Sequence, residues 1–232
     1  MGDGAGGPPA CGGERSDRGM NGAGLDNPFF ARLWTKLSAR EPESIRRLRR
    51  ENLAGLTGRV LEVGAGTGTN FEFYPAAVTE VVAIEPELRL ALLARQAADK
   101  APIPITVSTD TVERYAASVT QPFDAVVCSL VLCSVDDTDA VLRQLFSALR
   151  PGGELRYLEH VASTGPRARM QRLADATVWP RLFGNCHTHR HTEQYIADAG
   201  FEVGGARHEW VMPAWVPMPG SETAIGRAVK PA

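Results

Sequence analysis

Arg59-Val60-Leu61-Glu62-Val63 runs directly into Gly64-Ala65-Gly66-Thr67-Gly68. This junction constrains the fold more than any other stretch of the chain. A short run rich in branched residues, followed at once by three glycines at alternate positions, reads as a strand that stops in a tight turn. Glycine lacks a Cβ, so it takes positive φ and lets a ligand approach the main chain closely.

Around that junction strand and helix alternate. Residues 80–85, Ile105-Thr106-Val107, the nearly continuous apolar run 123–132 and residues 153–161 read as further strands. The run at 123–132 has the pattern of a central parallel strand buried on both faces. Residues 70–77 predict a helix that Pro75 shortens, and 88–99 a regular one. Residues 137–149 form an amphipathic helix stopped by Pro151-Gly152-Gly153. A helix over 192–199 halts at Gly200, a strand starts at Phe201, and 224–229 predicts a final edge strand. Such alternation specifies an α/β protein, a parallel sheet with helices on both faces. Upstream, Phe29, Phe30, Leu33, Trp34 and Leu37 recur at helical spacing, and a second helix is expected over 41–53 with Pro42 in its first turn. Residues 1–24 are glycine-rich and almost empty of large apolar side chains, so a disordered tail is expected there.

Charge and cysteine usage narrow the function classes. The formal net charge of the 232 residues is -2, so no broad basic field exists to hold a nucleic-acid backbone. Arg46, Arg47, Arg49 and Arg50 read as the solvated face of a helix. No apolar run approaches the roughly 20 residues of a membrane-spanning helix. Cys11, Cys128, Cys133 and Cys186 include no CxxC pair, which suits free thiols and a cytoplasmic location.

Two acids qualify the glycine loop. Glu62 stands two residues before the first glycine, and Glu85 closes the next strand at about the twenty-residue distance of a ribose-binding acid. The spacing is GxGxG rather than GxGxxG. A pyrophosphate wants a helix N-terminus and no adjacent carboxylate, whereas a ligand carrying an ammonium group tolerates Glu62.

Taken together these segments resemble the class I methyltransferases that use S-adenosylmethionine (SAM). Glu62 to Gly68, with Asn70 just beyond, is similar to that family's signature loop. Glu85-Pro86 looks like its ribose-binding acid, and Asp110-Thr111 matches the position that holds the adenine. Asp124 and Ser129-Leu130 match the strand-four segment under the methionine part, and residues 149–153 the turn before strand five. The resemblance implies SAM as cofactor, held by Glu62, Gly64, Ala65, Gly66, Thr67, Gly68, Asn70, Glu85, Pro86, Asp110, Thr111, Ser129 and Leu130. It also implies a Rossmann-like, mostly parallel seven-stranded sheet whose last strand is antiparallel. Residues 25–232 would form one domain with an N-terminal helical cap and an insertion near 164–191.

Leu158-Glu159-His160-Val161, Trp179, Gly184 to Thr192 and Ala199-Gly200-Phe201 resemble a small-molecule branch. That branch contains the methyltransferase-like thiol methyltransferases and lies near the quinone-biosynthesis C-methyltransferases. Asn185 stands where a second glycine is usual, and His191 where an acid is usual. The acceptor is therefore expected to be a small molecule, a thiol ahead of a quinol or phenol. Phe30, Trp34, Trp179, His187 and Arg190 are the expected acceptor-lining side chains. His160 is the catalytic candidate: it reads either as a general base or as a polar residue closing a strand. Cys128 and Cys133 read as small buried residues, against a nucleophilic role. The Cys186, His187, His189 and His191 segment reads as acceptor-lining, with no metal expected. Two other function classes stay open at this point, an NAD-dependent oxidoreductase and a non-catalytic SAM-binding domain.

Overall fold

A computed structural model describes residues 26–213, 215–216 and 218–232; the expected tail at 1–24 lies outside them. Seven strands form one sheet: β1 (Gly58–Val63), β2 (Val78–Ile84), β3 (Ile105–Ser108), β4 (Phe123–Ser129), β5 (Leu149–His160), β6 (Glu202–Trp210) and β7 (Glu222–Val229). Their order is β3-β2-β1-β4-β5-β7-β6. Strands β1 to β5 pair in parallel, and β7 runs antiparallel between β5 and β6. The expected sheet is therefore present.

Among the described residues eight α-helices accompany the sheet: α1 (Pro28–Ser38), α2 (Glu43–Leu53), α3 (Leu88–Ala98), α4 (Val112–Ala117), α5 (Thr138–Ala148), α6 (Gly165–Asp175), α7 (Trp179–Leu182) and α8 (Thr192–Asp198). Successive side chains of a strand point to opposite faces, and the core divides accordingly. Leu61, Val63, Val126 and Cys128 pack with α4, α5 and α8 through Val112, Leu142, Leu145 and Ile196. Val60, Ala125 and Val127 pack with α2 and α3 through Leu53 and Ala94. Helices thus cover both faces, and the continuous apolar reading of β4 is explained.

Four expectations need correction. Residues 70–77 do not form a helix; only Phe71–Phe73 make a 3-10 turn, because Pro75 cannot continue it. The β4 run ends at Ser129 rather than at 132, since Leu130 adopts φ 59. Pro151-Gly152-Gly153 does not simply separate helix from strand. Leu149 already pairs with Phe123, and the ladder resumes at Glu154 opposite Ala125 across an irregularity. Finally, the last strand is not an edge: β7 carries neighbours on both sides, and β6 closes the sheet.

Chain order reverses between β1 and β4, since β2 and β3 lie to one side of β1 and β4 to the other. Open α/β sheets bind ligands at such a switch point, beyond the carboxyl ends of the strands.

Candidate active site

The glycine loop emerges from β1 at that switch point. Gly64, Gly66 and Gly68 all have positive φ, at 68°, 58° and 81°. A Cβ on Gly64 would run into Val131, and one on Gly66 would sit 2.8 Å from the Trp34 indole nitrogen. The loop is therefore threaded between the segment after β4 and helix α1, and only glycine fits.

Glu85 ends β2 almost fully buried, at 6% exposure. One carboxylate oxygen accepts the Gly66 N–H at 2.8 Å and the other the Glu87 N–H at 3.0 Å. An ionised carboxylate has about four lone-pair positions, so two further hydroxyls can still bind. Burial pushes its pKa up to about 7, against the lowering effect of those two amides. Pro86 follows it, and Glu87 caps α3 by accepting the Leu90 N–H.

Glu62 lies deeper, at 2% exposure. Its oxygens accept Asn70 Nδ2 at 3.0 Å and the Tyr74 hydroxyl at 2.6 Å. Burial likewise lifts its pKa to about 7. Asn70 also donates to Ser129 Oγ at 3.2 Å and accepts from Arg49 Nη1 at 3.0 Å. Arg49 in turn binds Glu41. A chain of polar contacts thus runs from α2 under the glycine loop to the end of β4. Arg49, only 2% exposed, is not part of a solvated face as expected. It shares a helical stripe with Ile45, Leu48 and Asn52, and that spacing was the available signal. Glu41, Arg49 and Tyr74 were missed as supports of the loop.

Asp110 accepts from Ser108 Oγ at 3.0 Å, and Thr111 caps α4 by accepting the Arg114 N–H. Both follow β3. Leu130 is held at positive φ by its own N–H, which donates to Leu158 O at 2.8 Å. The carboxyl ends of β1, β2, β3 and β4 thus carry all the expected cofactor residues. Asp124 is elsewhere. It opens β4 at the opposite sheet edge, where it accepts the Arg59 N–H and pairs with Arg150 at 2.6 Å; its role is structural.

The acceptor-side residues divide. Phe30 and Trp34 stack on α1, 5.9 Å between ring centroids, with Trp34 over Gly66 and Phe30 over Gly184. Trp179 stacks on Phe183 at 4.1 Å. The His187 N–H donates to Cys133 O at 2.7 Å. Arg190 binds Leu132 O, Val135 O and the Thr138 hydroxyl, so it pins the segment after β4. Asn185 has φ 65, a backbone that asparagine tolerates better than most residues, which accounts for its standing where glycine is usual.

His160 closes β5 with Nδ1 3.4 Å from Cys186 Sγ, and its Nε2 faces Gly220, where a Cβ would come within 2.9 Å. Beside it, fully buried Glu159 accepts the N–H groups of Val131, Leu132 and Cys133 at 3.0, 3.0 and 3.3 Å. This carboxylate shapes the turn after β4 and was not foreseen. A cleft of about 220 Å³ is lined by Met170, Trp210, Glu222 and Pro219, the neighbour of Gly220. None of the five expected acceptor-lining residues borders it.

Comparison with known proteins agrees with this geometry. The sequence profile of the methyltransferase domain family matches residues 30–204. The chain belongs to the SAM-dependent methyltransferases. It is 34% identical to mouse thiol S-methyltransferase TMT1B, over 88% of this chain and 85% of that protein. Human thiol S-methyltransferase TMT1A is 31% identical over 81% and 80%. A ubiquinone biosynthesis O-methyltransferase of Proteus mirabilis is 33% identical over 46% of this chain and 44% of that protein. The N-methyltransferase NodS from Bradyrhizobium japonicum, solved with S-adenosyl-L-homocysteine, superposes with TM-score 0.59 at 18% identity, covering 89% of this chain and 90% of that one. The oxidoreductase alternative gives way to this family. No helix among the described residues is long and apolar enough to cross a membrane.

Proposed function

We propose that this methyltransferase carries the methyl group of SAM to the sulfur of a small thiol. The observation that carries the reading is its identity to thiol S-methyltransferases over most of the chain. The geometry fits the cofactor: a loop of glycines too tight for any Cβ, with a buried carboxylate beside it that keeps two acceptor positions for a ribose diol. On this reading Glu85 binds the ribose, Asp110 and Thr111 border the adenine, and the Gly64–Gly68 loop with Leu130 borders the methionine part. Glu62 acts through Asn70 and Tyr74, holding the loop rather than meeting the ligand.

Bound SAM supplies a methyl group on a sulfonium centre, so the protein has little covalent chemistry to perform. Its task is to align the acceptor sulfur with that methyl and keep water away. Helix α1 serves as the cap, since Trp34 and Phe30 span from the glycine loop to Gly184; Trp179 and His187 belong to the insertion at 164–191 that faces it. Glu159 is committed to three backbone amides and His160 Nδ1 to Cys186. This favours an acceptor that brings its own anion. A thiol with a pKa near 8.5 is partly thiolate at neutral pH, and its remaining proton leaves to solvent as the S–C bond forms. Free Cys128, Cys133 and Cys186 are in keeping with a cytoplasmic setting.

The test is mass spectrometry of thiols, phenols and quinols incubated with the enzyme and SAM. Methylated thiols are expected. Methylation confined to phenols or quinols would overturn the thiol reading, and SAM binding without turnover on any class would favour the non-catalytic alternative.

A further inference from the structure

Three side chains from distant parts of the sequence converge beside the acceptor-side loops. Cys133 lies in the segment after β4, His160 ends β5, and Cys186 follows α7. The Cys133 and Cys186 sulfurs are 3.5 Å apart, and Cys186 Sγ is 3.4 Å from His160 Nδ1. All three ligand-type atoms lie within 4.8 Å of one another. Both cysteines are buried, at 1% and 5% exposure, and His160 is half-buried.

We propose that Cys133, His160 and Cys186 form a binding site for a zinc-type soft divalent ion. With Zn–S near 2.3 Å and Zn–N near 2.0–2.1 Å, the edges of a tetrahedral site are about 3.8 Å between sulfurs and about 3.5 Å from sulfur to nitrogen. The two edges at Cys186 need to open by only a few tenths of an ångström, and the third, between Cys133 and His160, lies within 4.8 Å and settles to the same length by a small side-chain shift. On binding, the two thiols release their protons and become thiolates, so a dication leaves the buried group neutral, which is the condition for burying it cheaply. Two thiolates and an imidazole select zinc or copper(I) over hard ions such as magnesium or calcium. Three protein ligands leave one tetrahedral position for water or an external ligand.

The backbone around the cluster is braced as a ligand site requires. The His187 N–H donates to Cys133 O at 2.7 Å, tying the two cysteine loops together. Glu159 holds the Cys133 N–H, and Asp175 holds the N–H groups of Thr188 and His189 at 2.8 and 2.9 Å. The signal was invisible in sequence because no metal-binding spacing links positions 133, 160 and 186.

The experiment uses the full chain, purified without chelators after growth with zinc. Elemental analysis should find about one zinc per chain, since structural thiolate sites bind tightly at neutral pH. Replacement by Co2+ should give thiolate-to-cobalt charge-transfer absorption and the intense visible bands of a tetrahedral site. Cys133→Ser and Cys186→Ser should each weaken Co2+ binding beyond the roughly 10–100-fold that loss of an outer-shell partner costs, and Glu159→Gln should fall within that range. Weak octahedral Co2+ bands without sulfur charge transfer in the unmodified protein would overturn the site, even if the variants fail to fold. So would a Cys133–Cys186 disulfide as the pair's only response under mild oxidation, with no metal retained by the reduced protein.

Discussion

Glu85 and Gly66 act as one unit, because the carboxylate proposed to bind the ribose also holds the loop amide at 2.8 Å. Glu85→Ala should weaken SAM binding by roughly 1.5–3 kcal/mol, the worth of hydrogen bonds to a charged group. Glu85→Gln can still accept one amide and should lose less. Titration calorimetry reads both, and equal, unchanged affinities would remove Glu85 from the site. At Gly66 the reason is steric. With φ at 58° and Trp34 2.8 Å from any added Cβ, Gly66→Val should abolish SAM binding. The sheet beneath is untouched, so the far-ultraviolet dichroism should stay near that of the parent. Normal SAM binding by the valine variant would show that the cofactor lies elsewhere.

Helices α1 and α2 support the site in different ways. Helix α1 covers it with aromatic rings, and its contact with the insertion rests on Gly184, where φ is 60° and a Cβ would sit 2.7 Å from the Phe30 ring. Gly184→Ala should push α1 outward. The expected result is a lower kcat/KM for the acceptor with SAM affinity changed less than about threefold, under 1 kcal/mol. Steady-state kinetics with each ligand varied would reveal the opposite pattern if α1 serves the cofactor alone. Helix α2 instead delivers Arg49, whose guanidinium is sandwiched between Glu41 and Asn70. Arg49→Ala strands the buried Glu41 and leaves Asn70 half-bonded. Breaking a buried pair costs about 3–5 kcal/mol, and a urea melt should show a loss of that order. A loss under about 0.5 kcal/mol, the size expected at an ordinary surface position, would return Arg49 to the solvated face.

For the whole molecule, three buried carboxyls, Glu62, Glu85 and Glu159, set an unusual pH profile, each raised first by burial. Glu62 and Glu85 are both raised to about 7, by burial first. A carboxyl whose folded pKa exceeds its unfolded value binds its proton more tightly in the native state. Its contribution is therefore complete below about pH 4.5 and is lost as pH rises through 7. For Glu62 the loss is on the order of 3 kcal/mol, taking about 1.4 kcal/mol per pKa unit. Asp124, held below its usual range first by the Arg59 amide and then by Arg150, works in the opposite direction and destabilises the fold only in stronger acid. The ligand-free protein should melt highest in mild acid, and Glu62→Gln should flatten the decline toward neutrality. A melting temperature that climbs steadily from pH 5 to 7.5 in both proteins would contradict this. A chain beginning at Leu25 should keep SAM affinity and thermal stability, because residues 1–24 carry almost nothing to bury; a large loss of either would show that they pack on the domain.

Local pattern determined most of the sheet and the glycine loop. The alternation of apolar runs with helical spacing, and the glycines after Val63, depend on neighbours within a few residues, so they could be read directly. Glu85 was legible as the residue closing its strand, whereas Asp110 and Leu130 came from the family resemblance; parallel topology brings the ends of their strands to one edge. Local pattern misled where a residue's partner was remote. Arg49 looked solvated inside a run of arginines until Glu41 and Asn70 enclosed it. Arg190, expected at the acceptor, spends its guanidinium on Leu132 O and Val135 O in the turn after β4 and on the Thr138 hydroxyl that opens α5. β7 was read as an edge because insertion between β5 and β6 is decided by sheet closure, not by the strand's own residues. Only tertiary structure could place Cys186 against Cys133 and His160, since 53 and 26 residues separate it from them and their meeting depends on how the segment between β5 and α8 folds back over the sheet.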